Sequence, residues 1–457
     1  MTAPSDAEAQ VLERAASWHA GRASNEPAWL VGARLDAERW IDVHGFPTKK
    51  DEGWRHFPLA PVREQAVAPA PEPSRSDPAA HASSERVAEA VEAASLGLSG
   101  ARLVFVNGRF FPSLSRNAGL PRGVQVASLA SALDGDAEVA RAAFLWPGDG
   151  PAHAFSALNV ARALDGALVR LPAQASISEP IELVYFADPG AAPGTFSTRS
   201  LVELGEGSSA TLVEVHAGAP EARYLTNAVA RVVLGEGADL RRFHLQTESE
   251  HASHLSSVEV QQSRGSRLTT SLVALGAKVA RHELRVVFGE EDADATLDAL
   301  YCTSGSQHHD HPVLVEHRAP RCTSRQRYVG IVDGEGHAVF DGHVVVRPGA
   351  TRTDASQSNK NLLCSERAEV DTRPRLEIFC DDVACAHGAA VGQLDHDALF
   401  YLRSRGIPFE RARGILVQGF AAQALERVSL GEVRARAARL LAARLGLDVQ
   451  DPSAMVR

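Results

Sequence analysis

The feature that most constrains this chain is an apolar run, a glycine-containing turn and a second apolar run, repeated between about residues 101 and 380. Such runs begin at Leu201, Val232, Val286 and Ile331. Each is typical of a strand, a tight turn in which glycine can take a positive φ, and another strand. Because the runs recur at irregular spacings, the pattern favours a stacked β-solenoid, whose coils can differ in loop length while their inward side chains stack. A β-sandwich fits the same pattern, and the residues alone leave it open.

Helical patterns precede this β-rich segment. Apolar residues recur at helical spacing from Ala7 to Ala20 and from Trp29 to Val43. A proline-rich run near residues 66–80 is typical of a stiff or disordered linker. Another helix is predicted from Glu85 to Ala94.

Helical patterns return after the β-rich segment. The first predicted helix begins after Asp395, a favourable N-cap, and ends at Gly406, a favourable C-cap. Two more are predicted, from Pro408 to Val428 and from Gly431 to Leu445. We therefore predict an N-terminal helical domain with its linker over residues 1–95, a β core over 96–390 and a C-terminal helical domain over 391–457.

Composition argues against several kinds of partner and compartment. A formal net charge of −10 without a basic stripe argues against nucleic acid. No apolar run reaches the roughly 18 residues that a membrane span needs. The first ten residues lack the basic and apolar regions of a secretory signal. The 5 cysteines are an odd number at irregular spacing, which argues against a disulfide framework. We expect a cytoplasmic protein with no nucleic-acid or membrane partner.

Motifs of common enzymes and cofactor proteins are missing from the sequence. It has no Gly-x-x-x-x-Gly-Lys-Ser/Thr loop, no Gly-x-Gly-x-x-Gly fingerprint and no Gly-x-Ser-x-Gly elbow. It also has no Cys-x-x-Cys pair, so a stable four-cysteine cluster held by this chain alone is not expected. These absences predict a protein that is not an enzyme and has no catalytic residues.

Cys385 and His387 are the strongest candidates for metal ligands. Thiolate and imidazole groups suit iron, zinc or copper, and residues two apart on a strand point to the same face. The spacing fits equally well a buried thiol beside a hydrogen-bonded imidazole. Two ligands are too few for a cluster, so a partner would have to supply the others.

A second group of polar residues comprises His308, His309, Asp310 and His311, followed by His317. Alternation along a strand would send His309 and His311 to one face and His308 and Asp310 to the other. We favour a polar stack along the solenoid wall, or a loop near the partner, over a transition-metal site.

The remaining candidates are interpreted as structural. Cys302, Cys364 and Cys380 are typical of small apolar core residues. The carboxylates of Glu203, Glu214 and Glu236 flank predicted strands and are interpreted as surface groups.

Longer motifs near the end of the β-rich segment resemble the SufB/SufD family of iron–sulfur cluster assembly proteins. They are Ala355-Ser-Gln-Ser-Asn-Lys-Asn-Leu-Leu, Ala368-Glu-Val-Asp-Thr-Arg-Pro-Arg-Leu-Glu-Ile, Asp381-Asp-Val-Ala-Cys-Ala-His-Gly and Phe400-Tyr-Leu-Arg-Ser-Arg-Gly-Ile, in family order. Gly45-Phe-Pro-Thr-Lys-Lys-Asp-Glu-Gly-Trp-Arg resembles the family's N-terminal segment more weakly. The resemblance implies a right-handed parallel β-helix core flanked by helical domains. Many members of the family have lysine at the position of Val329. Any role of that lysine cannot be assigned to this chain.

The same resemblance implies a non-enzymatic scaffold subunit of the SUF machinery, on the SufD side of the family. Its partners would be a SufB-like chain and a SufC-like ABC-type ATPase, in a complex of one SufB, two SufC and one SufD. His387 and Cys385 would lie at the SufB–SufD interface, where a transient iron–sulfur cluster forms. We expect no cofactor bound stably by this chain alone, and a homodimer when the partners are absent.

The helical segment after the β core is the expected ATPase contact. Its apolar residues exceed what one short helix pair needs for internal packing, and exposed apolar patches mark interfaces. The predicted contact residues are Leu399, Phe400, Tyr401, Leu402, Arg405, Ile407, Ile415 and Phe420.

Two alternative functions are considered. One is a SufB-like scaffold of the same family, against which the Cys-Ala-His-Gly and Tyr-Leu-Arg-Ser-Arg-Gly motifs argue. The other is a β-helix enzyme acting on polysaccharide. Such enzymes are usually secreted and carry an acidic or aromatic groove, whereas only 6% of the residues here are aromatic.

Overall fold

A computed structural model describes residues 26–66, 79–117, 119–145, 151–188, 190 and 194–445 of the chain. The predicted helix from Ala7 to Ala20 and most of the proline-rich linker lie outside the described residues. The described chain is mainly β, and its core is a parallel β-helix with helices before and after it. This confirms the predicted fold class and decides against the sandwich.

The strands of the core are mostly about ten residues long, and each coil of the helix contributes one strand to each of two sheets. They are β1 (Arg102–Val106), β2 (Arg109–Phe110), β3 (Gln125–Ser128), β4 (Ala167–Leu171), β5 (Ile181–Ala187), β6 (Gly194–Leu204), β7 (Ser209–Gly218), β8 (Tyr224–Leu234), β9 (Asp239–Gln246), β10 (Ser253–Gln262), β11 (Arg267–Ala274), β12 (Val279–Phe288), β13 (Asp294–Thr303), β14 (His308–His317), β15 (Thr323–Val332), β16 (His337–Val346), β17 (Thr353–Leu363), β18 (Glu369–Ile378) and β19 (Val383–Gln393).

The helices lie before, within and after the β segment. They are α1 (Ala28–His44), α2 (Leu59–Ala66), α3 (Ala79–Ala94), α4 (Leu129–Gly135), α5 (Ala137–Phe144), α6 (Ala154–Arg162), α7 (His396–Ser404), α8 (Phe409–Leu425) and α9 (Gly431–Arg444). Short 3-10 turns occur at Glu52–Trp54 and Pro112–Leu114. Sequence reasoning found α1 and the three C-terminal helices, but it missed α4, α5 and α6 inside the range expected to be β.

Two sheets form the walls of the β-helix. One contains the odd-numbered strands from β5 to β19 together with β1 and β2, and the other the even-numbered strands from β4 to β18 together with β3. Neighbouring strands from β4 onward are parallel and in register, as in the pairing of Ala355 with Cys385 across β17 and β19. Side chains that point inward therefore stack in columns along the axis.

The four repeated runs form the expected turns between consecutive strands. Gly207, Gly237 and Gly334 take positive φ of 61°, 65° and 65° in three of them. In the turn after β12, Asp292 takes φ of 63° instead. Aspartate is one of the few other residues that tolerate this conformation, because its short polar side chain can bond to nearby backbone.

The two outer walls are covered by helices from opposite ends of the chain. On the even-strand sheet, Trp54 and Phe57 pack with α6 against Leu225, Leu255 and Val279. On the odd-strand sheet, the apolar faces of α8 and α9 cover residues of β9 to β17. This burial explains why so many outward positions of the strands are apolar as well as the inward ones.

The two ends of the β-helix differ. The first coil ends in the short antiparallel strands β2 and β3, which blunt the sheet edges. At the last coil, β18 and β19 are the final strands of their sheets, and every residue of both is exposed or half-buried. None of the helices in the described residues is long and apolar enough to cross a membrane.

Candidate functional site

The open last coil carries the candidate metal ligands. Cys385 and His387 both lie on β19, which pairs with β17 on one side and, among the described residues, has a free edge on the other. Cys385 is half-buried and packs against the apolar interior, whereas His387 is exposed. Burial raises the pKa of the Cys385 thiol above its ordinary value. As predicted, the two residues share one face of the strand.

A column of unsatisfied polar groups leads to His387 from inside the β-helix. His387 pairs with Gln357 on β17, which in turn pairs with Gln326 on β15. Both glutamines are buried, and neither amide oxygen nor nitrogen makes a hydrogen bond to a described residue. Such groups are costly when left unpaired, so the column is suited to a ligand or ordered water.

Apolar side chains surround the candidate ligands at the same end. Ile378, Phe379 and Val391 are exposed there, and Val370, Leu376 and Val383 are half-buried against the core. A free sheet edge beside exposed apolar residues is a ready template for another chain. The last coil therefore has the chemistry of a protein interface.

A second exposed apolar surface begins two residues after β19. Asp395 caps α7 by accepting hydrogen bonds from the amides of Asp397 and Ala398, at 2.9 and 3.1 Å. Every residue of α7 is exposed or half-buried. Phe400 and Tyr401 expose 74% and 56% of their surface. A helix with so little burial is not held by its own apolar contacts, which indicates a binding surface.

The predicted ATPase-contact residues divide into two groups in the structure. Ile415 is exposed with Phe400 and Tyr401, and the exposed Arg405 donates a 3.0 Å hydrogen bond to the Tyr401 hydroxyl. By contrast, Leu399, Leu402, Ile407 and Phe420 are half-buried. Phe420 packs with α8 on the odd-strand sheet and so contributes to the fold. The exposed group, Phe400, Tyr401, Arg405 and Ile415, is called the α7–α8 patch below.

The histidine group on β14 forms part of the solenoid wall, in agreement with the polar stack that we favoured over a metal site. His309 and His311 point into the β-helix and are fully buried, and His309 Nε2 lies 2.9 Å from the Gly276 carbonyl oxygen. On the opposite face, Asp310 forms a salt bridge with Arg281, which also stacks on Trp54.

Sequence reasoning missed a larger set of histidines inside the β-helix. His216, His244, His254 and His282 come from different coils and are all buried. Their rings contact one another and reach His311, whose centroid is 5.5 Å from that of His282. Burial lowers the pKa of His244 and His282 well below the ordinary value. No sequence motif links residues so far apart. The only available signal was strand alternation, which predicts to which face of its own strand each histidine points.

Another group lies on the outer wall near the open end. Asp371 Oδ2 is 3.0 Å from His56 Nδ1 and 2.8 Å from His337 Nε2. Two imidazoles and one carboxylate suit a transition metal, but a hydrogen bond from His337 and an ion-pair contact with His56 already account for this geometry.

The predictions for single acids and thiols can be compared with the structure. Glu214 was expected at the surface, and that prediction is wrong: it is buried in the β-helix and pairs with Arg242, with Oε1 3.0 Å from Nε. Cys302 is buried and Cys364 is half-buried, and burial raises the pKa of these thiols to about 11 and about 12. Cys380 is half-buried against the main core.

Comparison with known proteins gives concordant matches along the chain. The family described as "SUF system FeS cluster assembly, SufBD core domain" matches residues 187–420, and the one described as "SufBD protein N-terminal region" matches residues 17–183. An iron–sulfur cluster assembly SufBD family protein of Synechocystis is 31% identical over 90% of each chain. The iron–sulfur cluster assembly protein SufD of Escherichia coli is 31% identical over 84% of this chain and 85% of its own. A chloroplastic protein of Arabidopsis thaliana named ABCI7 is 34% identical over 62% of this chain and 61% of its own.

Proposed function

This chain belongs to the SufBD family of iron–sulfur cluster assembly proteins, and from that we propose that it is a non-enzymatic scaffold subunit of a SUF complex. The observation that carries the proposal is the uncovered last coil, with its free sheet edge and its two candidate ligands. The relatives named SufD in Escherichia coli and Bacillus subtilis favour the SufD role over the SufB role. The family match also favours cluster assembly over action on polysaccharide.

The proposed partner at the last coil is a SufB-like chain. A second β-helix could extend the sheets at the free edges of β18 and β19 and bury Ile378, Phe379 and Val391. His387 and Cys385 would then lie within the contact. In the absence of a SufB-like chain, a second copy of this protein would cover the same surface and give a homodimer.

The cluster itself is cargo that forms in this contact. This chain supplies at most a neutral imidazole from His387 and a thiolate from Cys385, and the partner supplies the remaining ligands. Since burial raises the pKa of Cys385, its thiolate would need a metal or a partner's charge to form. His387 is therefore the stronger ligand candidate of the two.

The proposed ATPase contact is the α7–α8 patch. Helix α7 follows β19 after only two residues, so a force applied to α7 acts on the strand that carries His387. Nucleotide-driven movement of a SufC-like ATPase could thereby reshape the SufB–SufD contact. The parallel β-helix suits this role because its continuous ladders make a stiff body.

The test is co-expression of this chain with the SufB-like and SufC-like proteins of its own organism. We expect the wild-type chain and Val43→Asp to purify with both partners. Val391→Asp should lose the SufB-like chain, because it places a charge in the apolar contact. Val43 is the matched control because it is also exposed but lies on α1. Equal recovery of the SufB-like chain with Val391→Asp would refute the proposed surface.

A further inference from the structure

Three histidines inside the β-helix lie close enough to share one ligand. His244 is on β9, His254 on β10 and His282 on β12, so they come from both sheets. One potential ligand atom from each lies within 4.8 Å of the others. Their ring centroids are 4.9 to 5.8 Å apart.

The Nε2 atoms of these rings lack hydrogen bonds to any described residue. All three are fully buried, and no described protein group accepts or donates there. A buried polar atom without a partner destabilises the folded state. Three such atoms on rings that cluster this closely indicate a ligand that accepts nitrogen lone pairs.

In two of the rings, Nδ1 contacts a polar group of the protein, as the second nitrogen of a metal-binding histidine usually does. Nδ1 of His282 is hydrogen-bonded to the Ser256 hydroxyl at 3.0 Å. Nδ1 of His254 lies 2.6 Å from Oε2 of Glu248, an ion-pair contact without hydrogen-bond geometry. A carboxylate or hydroxyl at one ring nitrogen fixes the tautomer and orientation of a ligand at the other. The arrangement leaves Nε2 of both rings free to coordinate.

The buried carboxylate of Glu248 also indicates a cation at this place. Glu248 is buried and accepts hydrogen bonds from Thr226 and Gln246, at 2.5 and 3.0 Å. In the part of the chain that the structure describes, its ion-pair contact is to His254. Burying a carboxylate without a compensating cation is costly. A cation at Nε2 of His254 would supply the missing charge through the ring.

We propose that His244, His254 and His282 bind one divalent first-row transition metal ion inside the β-helix. Imidazole ligands suit zinc, cobalt, nickel and iron, and three nitrogens with a water molecule complete a tetrahedral site. A cavity of about 20 Å³, lined by His216, His244 and Ser256, lies beside one of the three ligands and has room for one water molecule. Two nitrogen ligands of one tetrahedral ion lie about 3.4 Å apart, so ring nitrogens up to 4.8 Å apart need to close by at most about 1.4 Å. The ion would tie the two sheets together, separately from the proposed cluster contact.

The test uses the full chain, produced in medium supplemented with Co²⁺ or Zn²⁺. We expect about one metal ion per chain by mass spectrometry and the visible absorption of tetrahedral cobalt. Zinc-edge X-ray absorption should show nitrogen neighbours with imidazole scattering and no sulfur. This measurement needs no variant, so it decides the question even if a substitution prevents folding.

The metal content of single-histidine variants would show where the ion is bound. His254→Asn and His282→Asn should lower the metal content at least tenfold. His317→Asn, another buried histidine, and His337→Asn, from the outer group with Asp371, should retain it. Retention of metal by His254→Asn and His282→Asn, sulfur in the absorption spectrum, or less than a tenth of an ion per wild-type chain would each overturn the proposal. So would loss of the metal in His216→Asn and His254→Asn with retention in His282→Asn, because that would place the ion with His216, Glu248 and His254 instead.

Discussion

His387 lies directly beside Gln357 in the parallel ladder between β17 and β19, at the uncovered end of the β-helix. The side chain of Gln357 is buried and makes no hydrogen bond to a described residue, whereas that of His387 is exposed. The pair therefore marks the point where the polar interior column meets the surface. It also places the strongest candidate ligand where a partner chain can reach it.

Replacement of His387 tests its proposed role as a cluster ligand. His387→Ala should leave the complex with the SufB-like chain and the ATPase intact, but lower its iron and acid-labile sulfide by about tenfold or more. The isolated chain should keep its thermal midpoint, because an exposed imidazole contributes little packing. His396→Ala, at another exposed histidine on α7, is the control. Wild-type cluster content in His387→Ala would show that the imidazole is not a ligand.

Substitution in the α7–α8 patch tests the ATPase contact. Phe400→Asp should weaken ATPase binding by about 2 kcal/mol or more, as expected for an aromatic anchor, and leave the SufB-like contact in place. Binding can be measured by calorimetry, with Val43→Asp as the control. Deletion of residues 393–457 is a poor substitute, because it would also uncover the apolar wall beneath α8 and α9. If Phe400→Asp bound the ATPase with unchanged affinity, the ATPase contact would have to lie elsewhere.

Acid should destabilise the chain through its buried histidines. Burial lowers the pKa of His309 to about 3 and that of His317 to about 4, against 6.5 when exposed. Above 6.5 both states are neutral; below it the unfolded state binds more protons, so stability falls as pH falls toward about 4. The urea midpoint should therefore decrease between pH about 7 and about 5, and decrease less in His317→Asn. A midpoint that does not change over this range would contradict the assignment.

The buried pair of Glu214 and Arg242 should be essential for stability. Glu214→Ala leaves the guanidinium buried without a partner, which should cost about 3–5 kcal/mol of unfolding free energy. The double variant Glu214→Leu with Arg242→Met should recover much of that loss. Glu203→Ala is the matched control, since the ion pair of Glu203 with Arg170 is only half-buried and its loss should cost less than about 1 kcal/mol. Equal losses for Glu203→Ala and Glu214→Ala would contradict this account.

Local features were predictable from the sequence because they depend on neighbours along the chain. Glycine turns, the Asp395 cap and the helical periods of α1, α8 and α9 fall where they were expected, within a few residues. The positions of Cys385 and His387 on one face followed from strand alternation alone. The family motifs, which are also continuous in the chain, identified the fold correctly.

Features that depend on stacking between coils were decided by the tertiary structure. Alternation shows which residues share a face, but coil register determines which face is interior and what lies above each side chain. For this reason Glu214 was misplaced at the surface, and the histidines at 244, 254 and 282 were not recognised as neighbours. The open end at β19 is likewise a property of the whole stack, because a strand's edge is free only where no further coil follows.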